Sequence, residues 1–183
     1  MGADSPLRVN RSPSELRSLI NAANVEYTVL IQAHSSTEET RWLLEIADEQ
    51  NFVLGVTGWV DLVDPKVGNV LDRLQENKYL KGIRHVWEDE SDPSWLLTSG
   101  AVEGLKEVQR RDLIYEFLVR PPNLKYIPRI MEQVPDLRAV VDHIAKPAIS
   151  EIKREPWLSD LGEVAKCGDL FCNCLLYKSD AAD

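Results

Sequence analysis

The chain has 183 residues, enough for one large domain, and its 44% hydrophobic and 28% charged residues suit a soluble globular protein. Acidic residues number 30 against 21 basic ones, and the net charge of −9 argues against general nucleic-acid binding, whose usual footprint is a basic patch. No apolar run reaches the ~18 residues of a membrane-crossing helix. The opening MGADSPLRVN lacks the apolar core of a signal peptide, and Pro6 breaks the myristoylation pattern.

In chain order, Ser12-Pro13-Ser14-Glu15 caps a helix that ends near Asn24. EYTVLIQA, residues 26–33, is β-branched and apolar and reads as a strand. Ser36-Thr37-Glu38-Glu39 is a capping box opening a helix to about Gln50, and FVLGVTGWV, residues 52–60, is the next strand. Asp64-Pro65 opens a helix to about Glu76 with Val67, Val70, Leu71 and Leu74 on one face. KGIRHVW, residues 81–87, is a third strand, a helix carrying Val102, Leu105 and Val108 follows, and LIYEFLV, residues 113–119, is a fourth. A helix over Asn123 to Gln133 precedes AVVDHIAKP, residues 139–147, the fifth strand and its exit. Asp160 to Lys166 reads as helix and Leu170-Phe171-Cys172 as the start of a sixth strand.

Strands thus recur about every 25 to 32 residues with helices between them, which means parallel strands joined by crossover helices. A (β/α)8 barrel and an open doubly wound sheet both fit. None of the strand-to-helix turns carries the G-x-G-x-x-G of the dinucleotide-binding version, which favours the barrel.

Ligand sites in either architecture lie at the C-terminal ends of the strands. All three histidines, His34, His85 and His143, fall there, and histidine is the side chain best suited to proton transfer or metal binding near neutral pH. Asp61 and Asp64 follow the second strand. Arg84 and Glu116 interrupt strands that should be apolar on both faces, and an unpaired buried charge is costly. They either pair with each other across adjacent strands or, for Arg84, bind an anionic or carbonyl group bidentately. Trp59 reads as core filler ahead of a sugar-stacking platform. Strand alternation puts Val141 on the side of His143 and Asp142 on the other, and Pro147 restricts Lys146 to extended geometry. The cysteines Cys167, Cys172 and Cys174 are spaced C-x4-C-x-C, not as a zinc knuckle; they read as free thiols in a reducing, cytoplasmic compartment.

GVTGWVDL, GIRH, LIYEFLVRPPNL and VVDHIAKP, in this order, resemble the amidohydrolase-related branch of the amidohydrolase superfamily, and within it the sugar-acid lactonases of the L-fuconolactonase and L-rhamnonolactonase type. The resemblance runs from about Leu7 to Cys172, with VDHIAKP as its most specific part. It implies an α/β fold, a (β/α)8 TIM barrel of the metal-dependent hydrolase type, here covering strands two to six and the start of seven. It matches His143 to the family histidine ending strand six and Arg84 to the substrate-binding arginine ending strand four, and it puts Glu116 where the family has aspartate. His143 is therefore the expected catalytic residue, with Arg84, His85, Glu116, Trp59 and Asp142 around the substrate.

The departures are large. The chain has no His-x-His, which ends the family's first strand, and no counterpart of the eighth strand with its catalytic aspartate. The family lysine of strand seven is replaced by Asn173, and the text from Cys174 onward resembles a translated adapter. The expected domain is 1–173, with 174–183 a non-native tail of a truncated reading frame. The resemblance implies a hydrolase that opens a sugar lactone by attack of an activated water, with a small-molecule substrate and neither nucleic acid nor membrane as partner. Relatives differ in their use of a divalent metal; its usual ligands are absent here, and no metal is assigned. The alternatives are a decarboxylase on the same barrel and a non-catalytic barrel fragment. Lacking strands one and eight, the chain by itself is expected to be inactive.

Overall fold

The computed structural model describes residues 10–151 and 154–174. Helix α1 (Pro13–Ala22) is followed by β1 (Thr28–Ile31), α2 (Thr37–Glu49), β2 (Val53–Gly58), α3 (Val67–Gln75) and β3 (Leu80–His85). Short 3-10 turns at Trp87–Asp89 and Trp95–Leu97 lead to α4 (Ser99–Arg110), β4 (Ile114–Phe117), α5 (Pro121–Leu124), α6 (Ile127–Gln133) and β5 (Ala139–Val141). A tight turn over Asp142–Ala145, α7 (Trp157–Val164) and β6 (Leu170–Cys172) complete the described chain.

The six strands form one sheet in sequential order, every neighbouring pair parallel. No reversal of strand order occurs, so the doubly wound alternative falls, and the sheet curls as an incomplete α/β barrel. The tail from 175 to 183 and Leu7 lie outside the described residues.

One face of each of the strands β2 to β5 is sealed by helices. Val56, Ile83, Tyr115, Phe117, Ala139 and Val141 are fully buried there against Leu71, Leu105, Ile127 and Ile130. In α2 the buried residues Thr40, Leu43, Leu44 and Ala47 recur at the spacing of one helical face. The opposite, concave face is open: Val29 is 52% exposed and Phe171 68%. This division explains the charges inside strands. Alternate residues of β3 and β4 point away from the helix layer, so Arg84 and Glu116 belong to a face that was never fully apolar.

Several local expectations need correction. The single helix expected over Asn123 to Gln133 is two, α5 and α6, broken at Lys125–Tyr126 just before Pro128. The helix expected from Asp64-Pro65 begins only at Val67, because the Asp64 carboxylate accepts from Lys66 N (2.8 Å) and closes a turn there. The Ser12 capping box is complete, whereas at α2 only half of one forms: Ser36 accepts from Glu39 N, but the Glu39 carboxylate turns to Ala33 N (3.0 Å) and His34 N (2.8 Å). The largest correction is at the end of β5. Lys146 is not extended but left-handed, at φ 50° and ψ 59°, and it closes a run of four non-glycine residues with positive φ. Among the described residues, no helix is long and apolar enough to cross a membrane.

Candidate functional site

The C-terminal ends of β1 to β5 bring together a polar cluster. Arg84, on β3, stands beside Glu116 of β4 in the sheet register. Neither pairs with the other. The Arg84 guanidinium donates through Nη1 to Asp142 Oδ2 (3.1 Å) and through Nη2 to the carbonyl of Gln32. Gln32 answers with Nε2 donating to the Arg84 carbonyl (3.1 Å), so each side chain holds the other's backbone across the end of β2. Asp142 is 1% exposed, and its Oδ1 accepts from Asn173 Nδ2 (2.7 Å). Alternation holds through Asp142, since Val141 packs against the helices and Asp142 turns to the inner face with Arg84; the expectation that put His143 on the side of Val141 is the one that fails, because the left-handed run begins at His143.

Glu116 is held differently. Thr57, on β2, donates its hydroxyl to Glu116 Oε1 (2.7 Å), passing over β3. That crossing requires Gly82, since a Cβ there would sit 2.8 Å from the Ile114 carbonyl and 3.2 Å from Thr57 Oγ1. Burial pushes the Glu116 carboxyl above its ordinary value; the Thr57 bond opposes this, Asp142 adds to it and Arg84 opposes it. The carboxyl therefore holds its proton to higher pH than an exposed glutamate does. For His143 burial lowers the pKa first, Asp142 opposes, Lys146 and Arg84 lower it further and Glu88 opposes, leaving a ring that prefers the neutral state.

The turn bearing His143 has φ of 55°, 47°, 59° and 50° at His143, Ile144, Ala145 and Lys146. Left-handed geometry costs roughly 1–2 kcal/mol per L-residue, and a β-branched residue such as Ile144 is an outlier in it. Tertiary bonds fix it. His143 N donates to Asn173 Oδ1 (2.8 Å) and Ile144 N to the Asn173 carbonyl (3.0 Å). Trp157, opening α7, donates Nε1 to the Ile144 carbonyl (2.8 Å). Lys146 Nζ lies 2.6 Å from both carboxylate oxygens of Glu88, and Arg120 Nε approaches the same carboxylate at 3.6 Å.

His85 forms a second, aromatic cluster. Trp59 Nε1 donates to His85 Nδ1 (3.1 Å), and His85 Nε2 meets Glu90 Oε1 at 2.8 Å. An indole N–H can only donate, so Nδ1 is an acceptor and the proton lies on Nε2, facing Glu90. Trp95 stacks on the imidazole at 4.3 Å with planes 13° apart. Both ring nitrogens of His85 are thus engaged within the protein, and half-buried Trp59 spends its N–H on the same contact.

Arg84, Glu116, Asp142 and His143 thus converge, with His85 and Trp59 alongside. His34 is exposed and Asp61 only closes a turn, its carboxylate accepting from Val63 N (3.1 Å). Sequence reasoning missed Gln32, Thr57, Glu88, Trp157 and the bonds of Asn173. Thr57 was within reach of it, being on the strand that leads into Trp59; the other contacts span 29 or more residues or, for Trp157, cross a loop, and carry no local signal. Gln32 Oε1, Arg84 Nε, Glu116 Oε2 and His143 Nδ1 are buried without a protein partner, which marks the cluster as polar beyond its own needs. Among the described residues no three His, Cys, Asp or Glu side chains converge to hold a metal ion, and Cys167, Cys172 and Cys174 are free thiols.

A family model described as amidohydrolase matches residues 1–176. The chain is 31% identical over 160 residues to an L-fucono-1,5-lactonase from Burkholderia ambifaria, covering 87% of this chain and 55% of that protein. It is 28% identical over 176 residues to an L-fucono-1,5-lactonase from Burkholderia multivorans, with 87% and 56% covered. An amidohydrolase from Burkholderia multivorans superposes with a TM-score of 0.84 in a HEPES-bound crystal structure and 0.83 in a zinc-bound one, at 27% identity, covering 91% of this chain and 60% or 59% of that one. The chain spans about half the length of the curated relatives it matches.

Proposed function

This chain belongs to the amidohydrolase family, and we propose that it serves hydrolysis of a sugar lactone to its acid, with Arg84, Glu116, Asp142 and His143 as the substrate-facing groups. The observation that carries the reading is the convergence of these four residues at the C-terminal ends of three adjacent strands, on the open face of a lactonase-like half-barrel.

Each group has a fitting task. Lactone opening needs negative charge stabilised on the carbonyl oxygen as water adds. Arg84, fixed by Asp142 and Gln32, presents a positive charge whose direction is set before substrate arrives. Glu116, held by Thr57, keeps its proton to higher pH than an exposed glutamate does and is thereby better suited to donate an O–H. His143, favouring the neutral ring, is suited to accept a hydrogen bond from water or a sugar hydroxyl. The His85 ring is enclosed by Trp59, Trp95 and Glu90, so it supports half-buried Trp59, whose indole is the aromatic surface left at the rim for a sugar face. In the family resemblance the base that activates water belongs to an eighth strand, so the part assigned to these residues is binding and carbonyl polarisation. The described residues do not assemble a metal cage, and no step is drawn through a metal.

The test is acid release from a panel of aldonolactones, titrated at constant pH and paired with calorimetric binding. Release that Arg84→Met abolishes supports the reading. Saturable binding without release would keep the sugar site and remove the hydrolase. Neither binding nor release would remove both.

A further inference from the structure

We infer that Trp157 and the Glu88–Lys146 pair are positioning residues: they clamp the left-handed turn from both sides and thereby fix the ring of His143. This rests on His143 facing substrate as proposed above, but the clamp itself is argued from geometry alone.

Four successive left-handed residues, one of them β-branched, do not persist without support. The turn has one internal backbone bond, Lys146 N to the His143 carbonyl (2.9 Å). The remaining supports come from outside and from separate elements. Trp157 holds the Ile144 carbonyl from α7 (2.8 Å), Glu88 holds Lys146 from the rim of β3 with two bonds of 2.6 Å, and Asn173 holds the His143 and Ile144 amides from beyond β6. Glu88 is itself tied to the next strand, its N–H donating to the Leu118 carbonyl (3.1 Å). The Glu88 and Lys146 side chains are only 10% and 17% exposed, so their attraction is screened less than that of a surface pair. His143 lies between the anchor points at Asp142, Ile144 and Lys146, and a change at either clamp rotates its ring relative to Arg84. Trp157 belongs to no part of the polar cluster and carries no charge, so its effect on His143 passes through the turn alone, whereas Glu88 and Lys146 also reach the ring by their charges.

The chain has three histidines, which makes the His143 ring resonances assignable by histidine substitution. Ring spectra are compared, without ligand, for the wild type, Trp157→Phe, Lys146→Met and Lys146→Arg, together with kcat and KM for the lactone most rapidly opened. Trp157→Phe and Lys146→Met should each displace the His143 ring signals, leave those of His34 unchanged, and lower kcat about 10- to 100-fold with KM within about threefold. Lys146→Arg, which keeps the charge, should restore both. Lys146→Met also removes a charge near the ring, so Trp157→Phe decides: His143 signals that stay in place in that variant, with the fold intact by circular dichroism, would overturn the inference. Because the spectra need no substrate, a wild type that opens no lactone defeats the functional reading and leaves the clamp to be decided by the ring signals.

Discussion

Arg84 and Asp142 form an ion pair of 3.1 Å between β3 and the residue following β5, spanning β4 on the inner face of the sheet. The side chains are 12% and 1% exposed. A pair so placed matters less for what it adds than for what its loss leaves behind, an uncompensated charge in a poorly solvated place. It also sets the direction of the guanidinium, whose second nitrogen is spent on the Gln32 carbonyl.

Asp142→Ala should therefore destabilise the chain by about 3–5 kcal/mol. Arg84→Met added to Asp142→Ala should recover at least half of that, because neither charge remains to be solvated. Urea unfolding of both single variants and the double variant gives the coupling directly. Additive losses would contradict the pairing.

The two perturbed groups make opposing contributions to stability against pH. Unfolded His143 binds its proton below about 6.5, the folded ring less readily, so its contribution is present above that pH and lost as pH falls toward the lowered value. Unfolded Glu116 loses its proton near 4.5, the folded carboxyl later, so its contribution is present below 4.5 and lost as pH rises through the raised value. Each single variant should unmask the other group. Glu116→Gln leaves stability rising toward pH 6.5, and His143→Gln leaves it falling above pH 4.5. Denaturant midpoints measured across this range check both signs.

Gly82 permits the Thr57–Glu116 bond to cross β3. Gly82→Ala drives a methyl to 2.8 Å from a backbone oxygen of β4, which cannot swing aside as a side chain tip can. The expected loss is about 1–3 kcal/mol, accompanied by weakening of the Thr57 bond. Thr57→Val in the Gly82→Ala background should then cost less than it does alone. Equal costs in the two backgrounds would show that the methyl is accommodated elsewhere.

The strands and their order were legible because helix and strand periods alternate cleanly through the chain, and because the buried faces of β3 to β5 carry residues such as Ile83, Tyr115 and Val141 at every second position. Arg84 and Glu116 stood out for breaking an apolar run. Their partners did not, since Gln32, Thr57 and Asp142 lie 52, 59 and 58 residues away from the groups they bind. The turn at His143 was misread for a physical reason. Local rules favour extended geometry before Pro147 and continued strand alternation past Asp142 to His143, and both are overridden by bonds from Asn173, Trp157 and Glu88 that no local pattern announces.

The central claim, that the inner-face cluster receives a sugar lactone, is met most directly by following the ring signals of His34, His85 and His143 while L-fuconate, the acid expected from the relatives' L-fucono-1,5-lactone, is added. The account predicts a saturable displacement of the His143 signals, no displacement at exposed His34, and loss of the effect in Arg84→Met. Signals of His143 that do not move at saturating sugar acid and lactone, or that move equally in Arg84→Met, would contradict it.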